Sequence, residues 1–114
     1  MAARANDGKV HFGVARVDLL LPGVASLKGK RALLNRAKAA LQRELDVSVA
    51  EVADQELWQR ASLGVAVAAS SATGVDRVLD RIVAVIERDP AVEVLGLAEL
   101  ADALDADPAP PLPG

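Results

Sequence analysis

Six basic residues fall between positions 28 and 43 with no acid among them: Lys28, Lys30, Arg31, Arg36, Lys38 and Arg43. Read as a helix at 100° per residue, Lys28, Arg31, Asn35, Lys38 and Gln42 share a sector about 80° wide, with Arg36 and Arg43 flanking it. Three of these cations lie in the first turn, where the helix carries a partial positive charge of about +0.5 and points free N–H groups outward. A cation there is unfavourable by roughly 0.3–1 kcal/mol at most, and a bound phosphate would relieve it. The chemistry these residues suggest is therefore anion or nucleic-acid binding. A solvated helix face gives the same pattern, so both readings stand. Trp58, followed by Gln59 and Arg60, is the second candidate. An indole beside a cation can stack on a base, although a tryptophan in such a position more often caps a core.

The other chemistry-bearing residues point to nothing catalytic. His11 is the only histidine and cysteine is absent, so a zinc site lacks ligands and thiolate chemistry is impossible. Arg16 and Asp18 are two apart and read as a surface ion pair, worth little. Asp54 and Glu56 sit in a loop with no partner for acid–base work. Gly23, Gly29 and Gly74 do not make a phosphate-loop pattern. No enzyme, no metal and no cofactor is expected.

The elements that must position these residues follow from periodicity. Residues 10–21 read as a strand, with Ala15, Val17, Leu19 and Leu21 on the parity that faces helices, and Phe12, Val14, Arg16, Asp18 and Leu20 on the open one. Pro22 and Gly23 break it. Residues 27–45 read as a helix capped by Ser26, with Leu27, Leu34, Ala37, Leu41 and Leu45 as its apolar stripe. Strands are expected over 47–53, 61–69 and 91–98, with a turn over 54–58. A second helix opens at Thr73 or Gly74 and runs to about Asp89, on a stripe of Val75, Val78, Leu79, Ile82 and Ile86. Pro90 stops it.

Strand–helix–strand twice over gives an α+β fold of ferredoxin-like β-α-β-β-α-β order, with an antiparallel four-stranded sheet and two helices on one face. Residues 10–100 form the one domain expected of a 114-residue chain. Residues 1–9 read as a disordered leader, and residues 101–114, with Pro108, Pro110, Pro111 and Pro113, as a disordered acidic tail. Phe12 and Trp58 are the only aromatics, so the core is built of Val, Leu, Ile and Ala, and neither a deep pocket nor an aromatic base-stacking platform is expected on the sheet.

Charge is segregated along the chain. Residues 1–60 hold ten Lys/Arg and seven Asp/Glu, whereas residues 61–114 hold three and nine. The net charge of −3 therefore hides a basic half. No apolar run approaches the ~18 residues of a membrane span, and Met1 to Lys9 contains no apolar stretch of the kind a secretory signal needs. The expected compartment is the cytoplasm.

The stretch Val14 to Leu19 followed by Leu21, Pro22 and Gly23, then Ser26-Leu-Lys-Gly-Lys-Arg, resembles the opening of the YlxP-like family, domain of unknown function 503. Val47 to Val52 and then Leu57-Trp-Gln-Arg-Ala-Ser-Leu-Gly are similar to that family's middle signature. The likeness spans about residues 10–97. It implies a bacterial protein of ferredoxin-like fold whose gene stands near those for translation initiation factor two and ribosome-binding factor A, and it carries over no catalytic residue. Two functions from different classes are thus expected. One is an accessory protein that binds ribosomal RNA or the ribosome through Lys28, Lys30, Arg31, Arg36, Lys38, Arg43, Trp58 and Arg60. The other is a module that forms a homo-oligomer through Phe12, Val14, Leu20, Ala66 and Ala68 on an open sheet face.

Overall fold

Alternation in the first strand decides which face of the sheet is covered. In β1, Val10–Leu20, Ala15, Val17 and Leu19 are buried, as is Leu21 just beyond, while Val14 and Arg16 are exposed. Period-two geometry puts the buried set under the helices. Gly13 shares that face and lets a helix approach closely: a Cβ there would stand 2.7 Å from Val75 Cγ1 and 3.0 Å from Leu79 Cδ1. The computed structural model describes residues 7–105.

The chain continues through α1 (Leu27–Leu45), β2 (Ser48–Ala53), β3 (Arg60–Ala69), α2 (Ala72–Leu79), α3 (Ile82–Glu87) and β4 (Glu93–Leu104). The Oγ of Ser26 accepts from the Gly29 N–H at 3.0 Å and opens α1. Asp46, left-handed at φ 53°, closes it by donating its N–H to the Gln42 carbonyl. The buried stripe Leu33, Leu34, Ala37, Leu41 and Leu45 presses on the sheet. The four strands form one open antiparallel sheet in the order β2-β3-β1-β4. Helix α1 packs towards β2, and α2 and α3 lie over β1 and β4. One core joins both layers, with Leu19, Leu41, Leu63, Ile82 and Ile86 at its centre.

Three expectations are corrected. The second helix opens earlier, at the cap Ser71, whose Oγ accepts from Gly74 at 3.1 Å, and it is two helices, not one. At Arg81 (φ −98°, ψ −9°) the N–H bonds the Val78 carbonyl three residues back, so the turn tightens and α3 restarts. Val75, Leu79, Ile82 and Ile86 stay on one buried stripe across the break, which is why periodicity does not reveal it. β4 runs to Leu104, six residues past its expected end, because Ala98 to Leu104 pair with β1 in register back to Arg16 and Val10. The tail therefore does not begin at residue 101: residues 101–104 are strand, while 106–114 lie outside the described residues. Of the leader, 1–6 also lie outside, and Asp7 bonds both the Lys9 N–H, at 3.0 Å, and the His11 ring.

Candidate nucleic-acid interface

Lys30 is the surprise of the basic helix. It is only 3% exposed. Its Nζ donates to the Asp54 carbonyl at 2.6 Å and to the Leu57 carbonyl, with the Glu51 carboxylate 3.9 Å away. The expectation that Lys30 binds an external anion is corrected: its donors are consumed by the β2–β3 loop. The angular signal was present in the sequence, since Lys30 stands four residues before Leu34 and outside the Lys28–Gln42 sector.

The other cations divide by partner. Arg36 is engaged by Asp89, with Nη2 at 3.0 Å and Nε at 3.2 Å from the same oxygen. The Ala91 N–H and then this guanidinium hold the Asp89 carboxyl below the usual range. Arg81 and Arg88 share Glu44, and Arg16 pairs with Asp18 at 3.2 Å. Lys28, Arg31, Lys38 and Arg43 have no carboxylate within salt-bridge distance among the described residues. Arg31, Asn35 and Lys38 line one side of a groove of about 400 Å³, closed on the other by Glu51 and Gln55. Of the unpaired cations, Arg31 and Lys38 thus border a concave surface between α1 and β2; Lys28 and Arg43 do not line it.

Trp58 does not cap the core. It is 50% exposed, beside an equally exposed Leu57. Its loop is nonetheless held. Lys30 takes the carbonyls of Asp54 and Leu57, and the Gln59 Nε2 donates to Pro22 and Val24 at 3.3 and 3.2 Å. The Leu21 N–H bonds the Gln59 carbonyl at 2.9 Å. The backbone of the loop that bears the exposed indole is therefore held by Lys30 in the first turn of α1, while the indole itself opens onto a shallow surface with Glu56 and Arg60, apart from the α1 groove. Arg60 opens β3 opposite Leu20 on the uncovered face and lines the same shallow surface as Trp58 and Glu56, separate from the α1 groove.

That face carries the second set. Phe12 pairs with Ala68 and Val14 with Ala66, so these four come together. Leu20 does not join them, because a polar cluster intervenes. Ser62 donates to Asp18 at 2.6 Å and accepts from Arg16 at 3.3 Å. The Ser62 hydroxyl first, and then Arg16, holds the Asp18 carboxyl below its ordinary value. Sequence reasoning missed Val10, Leu100 and Leu104, all exposed and all on this face by register, with Asp102 opposite Phe12 between the two leucines. Ending β4 at residue 98 hid the two leucines. Among the described residues no group of three or more His, Asp or Glu is placed to hold a metal, and no helix is long and apolar enough to cross a membrane.

Residues 12–98 match the family described as "Protein of unknown function (DUF503)". The chain belongs to this family. It is 36% identical over 82 residues to "Uncharacterized protein YlxP" of Bacillus subtilis (strain 168), covering 72% of this chain and 89% of that one. The solved structure of "De novo designed protein Foldit4" is similar over 81% of this chain and 96% of its own, at 16% identity and a TM-score of 0.46, a likeness that carries no argument. The DUF503 span takes in α1, the groove and the Trp58 loop whole, and it stops ahead of the last six residues of β4.

Proposed function

We propose that this DUF503 chain is a non-enzymatic bacterial accessory protein of the cytoplasm that binds single-stranded RNA, ribosomal RNA included, at the N-terminal half of α1. The observation that carries the reading is the Lys30 tether, which holds the loop bearing an exposed indole against α1, the helix whose Lys28, Arg31 and Lys38 have no acidic partner among the described residues. Lys28, Arg31 and Lys38 take phosphates and Trp58 stacks on a base. Among the described residues, none of the acids of the second half lines the groove that Arg31 and Lys38 border, where the one carboxylate is that of Glu51. The strand order, with β1 and β3 central, supports reading the fold as ferredoxin-like with a broken second helix.

Trp58 is the only tryptophan, so its fluorescence reports the site directly. Titration with a short single-stranded RNA should quench it, and the affinity should fall with salt at a log–log slope near −2 for three phosphates at roughly −0.7 each. Trp58→Ala should weaken binding about 5- to 150-fold, for the ~1–3 kcal/mol of one stacked base. Binding without quenching, or a flat salt dependence, would remove the RNA reading. A second reading, self-association, is favoured by the exposed apolar patch of Val10, Phe12, Val14 and Leu100 with Ala66 and Ala68.

A further inference from the structure

The two edges of the sheet are unlike. β2 is six residues long, its register slips between Glu51 and Ala53, and the next residue, Asp54, is left-handed at φ 63°. A short, bulged edge of that kind resists pairing. β4 is twelve residues long and, among the described residues, has no strand beyond it. Its first residues are handled: Leu95 is the extra residue of a bulge between the Gly96 and Val94 pairs, and the Val94 N–H is met by Glu87 at 3.2 Å. From Gly96 to Leu104 the strand runs in unbroken register against β1. Side chains of Leu97, Leu100 and Leu104 are exposed along it, Leu100 at 62% and Leu104 at 64%.

We propose that this edge pairs antiparallel with the same edge of a second copy, about a twofold axis at Leu100, making one eight-stranded sheet. The inference rests on the self-association reading and replaces its face-to-face geometry. Three observations select the occupant and the register. The regular segment runs from Gly96 to Leu104, so its midpoint is Leu100, and a twofold there uses all of it. That axis sets Leu104 opposite Gly96 and Leu97 opposite Ala103, large against small, with Leu100 against its own copy. It also sets both acids opposite alanines: Glu99 against Ala101, and Asp102 against Ala98. An axis at Glu99 would face Glu99 with its copy, and one at Asp102 would face Asp102 with its copy and Glu99 with Asp105. A twofold at a residue suits either class of antiparallel pair, so the register needs no change in how β4 meets β1. The pairing also joins the two apolar patches into one surface across Leu100.

The chain contains no cysteine, so disulfide trapping is clean. Glu99 and Ala101 lie on the helix side of β4, opposite Ala15 and Gly13, where face-to-face stacking cannot bring them together. Chains carrying Glu99→Cys, mixed with chains carrying Ala101→Cys and mildly oxidised, should give more heterodimer than either gives homodimer. Ala66→Cys, two strands from the edge, should not cross-link. Light scattering of the unaltered chain should give about twice 11.8 kDa. Because each copy brings Glu99, Asp102 and Asp105 to the seam, association should strengthen with salt, opposite to RNA binding. Cross-linking at Ala66 with none between Glu99 and Ala101 would overturn the edge geometry and leave self-association through the face. A monomer at every concentration and salt would overturn both.

Discussion

Lys30→Met is the sharpest test of what the basic helix does. Methionine keeps most of the volume, so the transfer and cavity contributions stay small. What disappears is the ammonium that donates to the Asp54 and Leu57 carbonyls and faces Glu51. A hydrogen bond from a charged donor is worth ~1.5–3 kcal/mol. Asp54 is half-buried and Leu57 exposed, so water re-solvates part of what is freed, and a net loss of about 2–4 kcal/mol is expected. For a domain of this size that lowers Tm by roughly 8–30 °C, at about 4–8 °C per kcal/mol. Lys28→Met, at an exposed position on the same helix, should stay within about 0.5 kcal/mol. Thermal melts followed by circular dichroism measure both, and Trp58 emission reports release of the loop. A Lys30→Met protein that melts within a degree or two of the parent would refute the tether. If it also lost RNA binding, Lys30 would be the ligand the sequence alone suggests.

Lys28→Glu with Arg31→Glu should fold at least as well as the parent, since each reversal suits the helix N-terminus, while RNA binding drops at least tenfold in a fluorescence titration; unchanged binding would take α1 out of the site. Gly13→Ala should destabilise by about 1–3 kcal/mol, because its Cβ meets Val75 and Leu79; a neutral urea midpoint would show that α2 does not rest on β1 there. The carboxyls of Asp18 and Asp89 are held low in the folded chain, Asp18 by Ser62 and then Arg16, and Asp89 by the Ala91 N–H and then Arg36. Their contribution is therefore present above the ordinary carboxylate range near pH 4 and is lost as pH falls through the lower folded values. Stability should be flat in these groups from pH 5 to 7 and decline below about pH 4, and Asp18→Asn should flatten that decline. A fall in stability between pH 7 and 5 would contradict the assignment.

Most elements were legible because what forms them is local. The parity of Ala15, Val17 and Leu19 is enough to choose the covered face of β1, and the Leu34–Leu41–Leu45 stripe with the Ser26 cap is enough to place α1. Sequential signals failed where the deciding partner lies elsewhere. Glu99 and Asp102 break the apolar pattern of 91–98 and look like the start of an acidic tail. Their strand exists because β1 offers partners as far as Val10. The break at Arg81 is invisible because its stripe is not interrupted.

By itself the sequence determined the four strands and the helical segments between them, though not the break in the second, together with the charge asymmetry and the absence of thiol chemistry, all properties of neighbouring residues or of composition. Only the tertiary structure decided which cations are free. Lys28 and Lys30 are the same residue type in the same turn. One is exposed; the other is buried against carbonyls 24 and 27 residues further along the chain. A burying loop and the unpaired acceptors it brings are long-range facts, and a lysine's fate follows from them: in water it can meet a phosphate, and under the loop its protons are already shared.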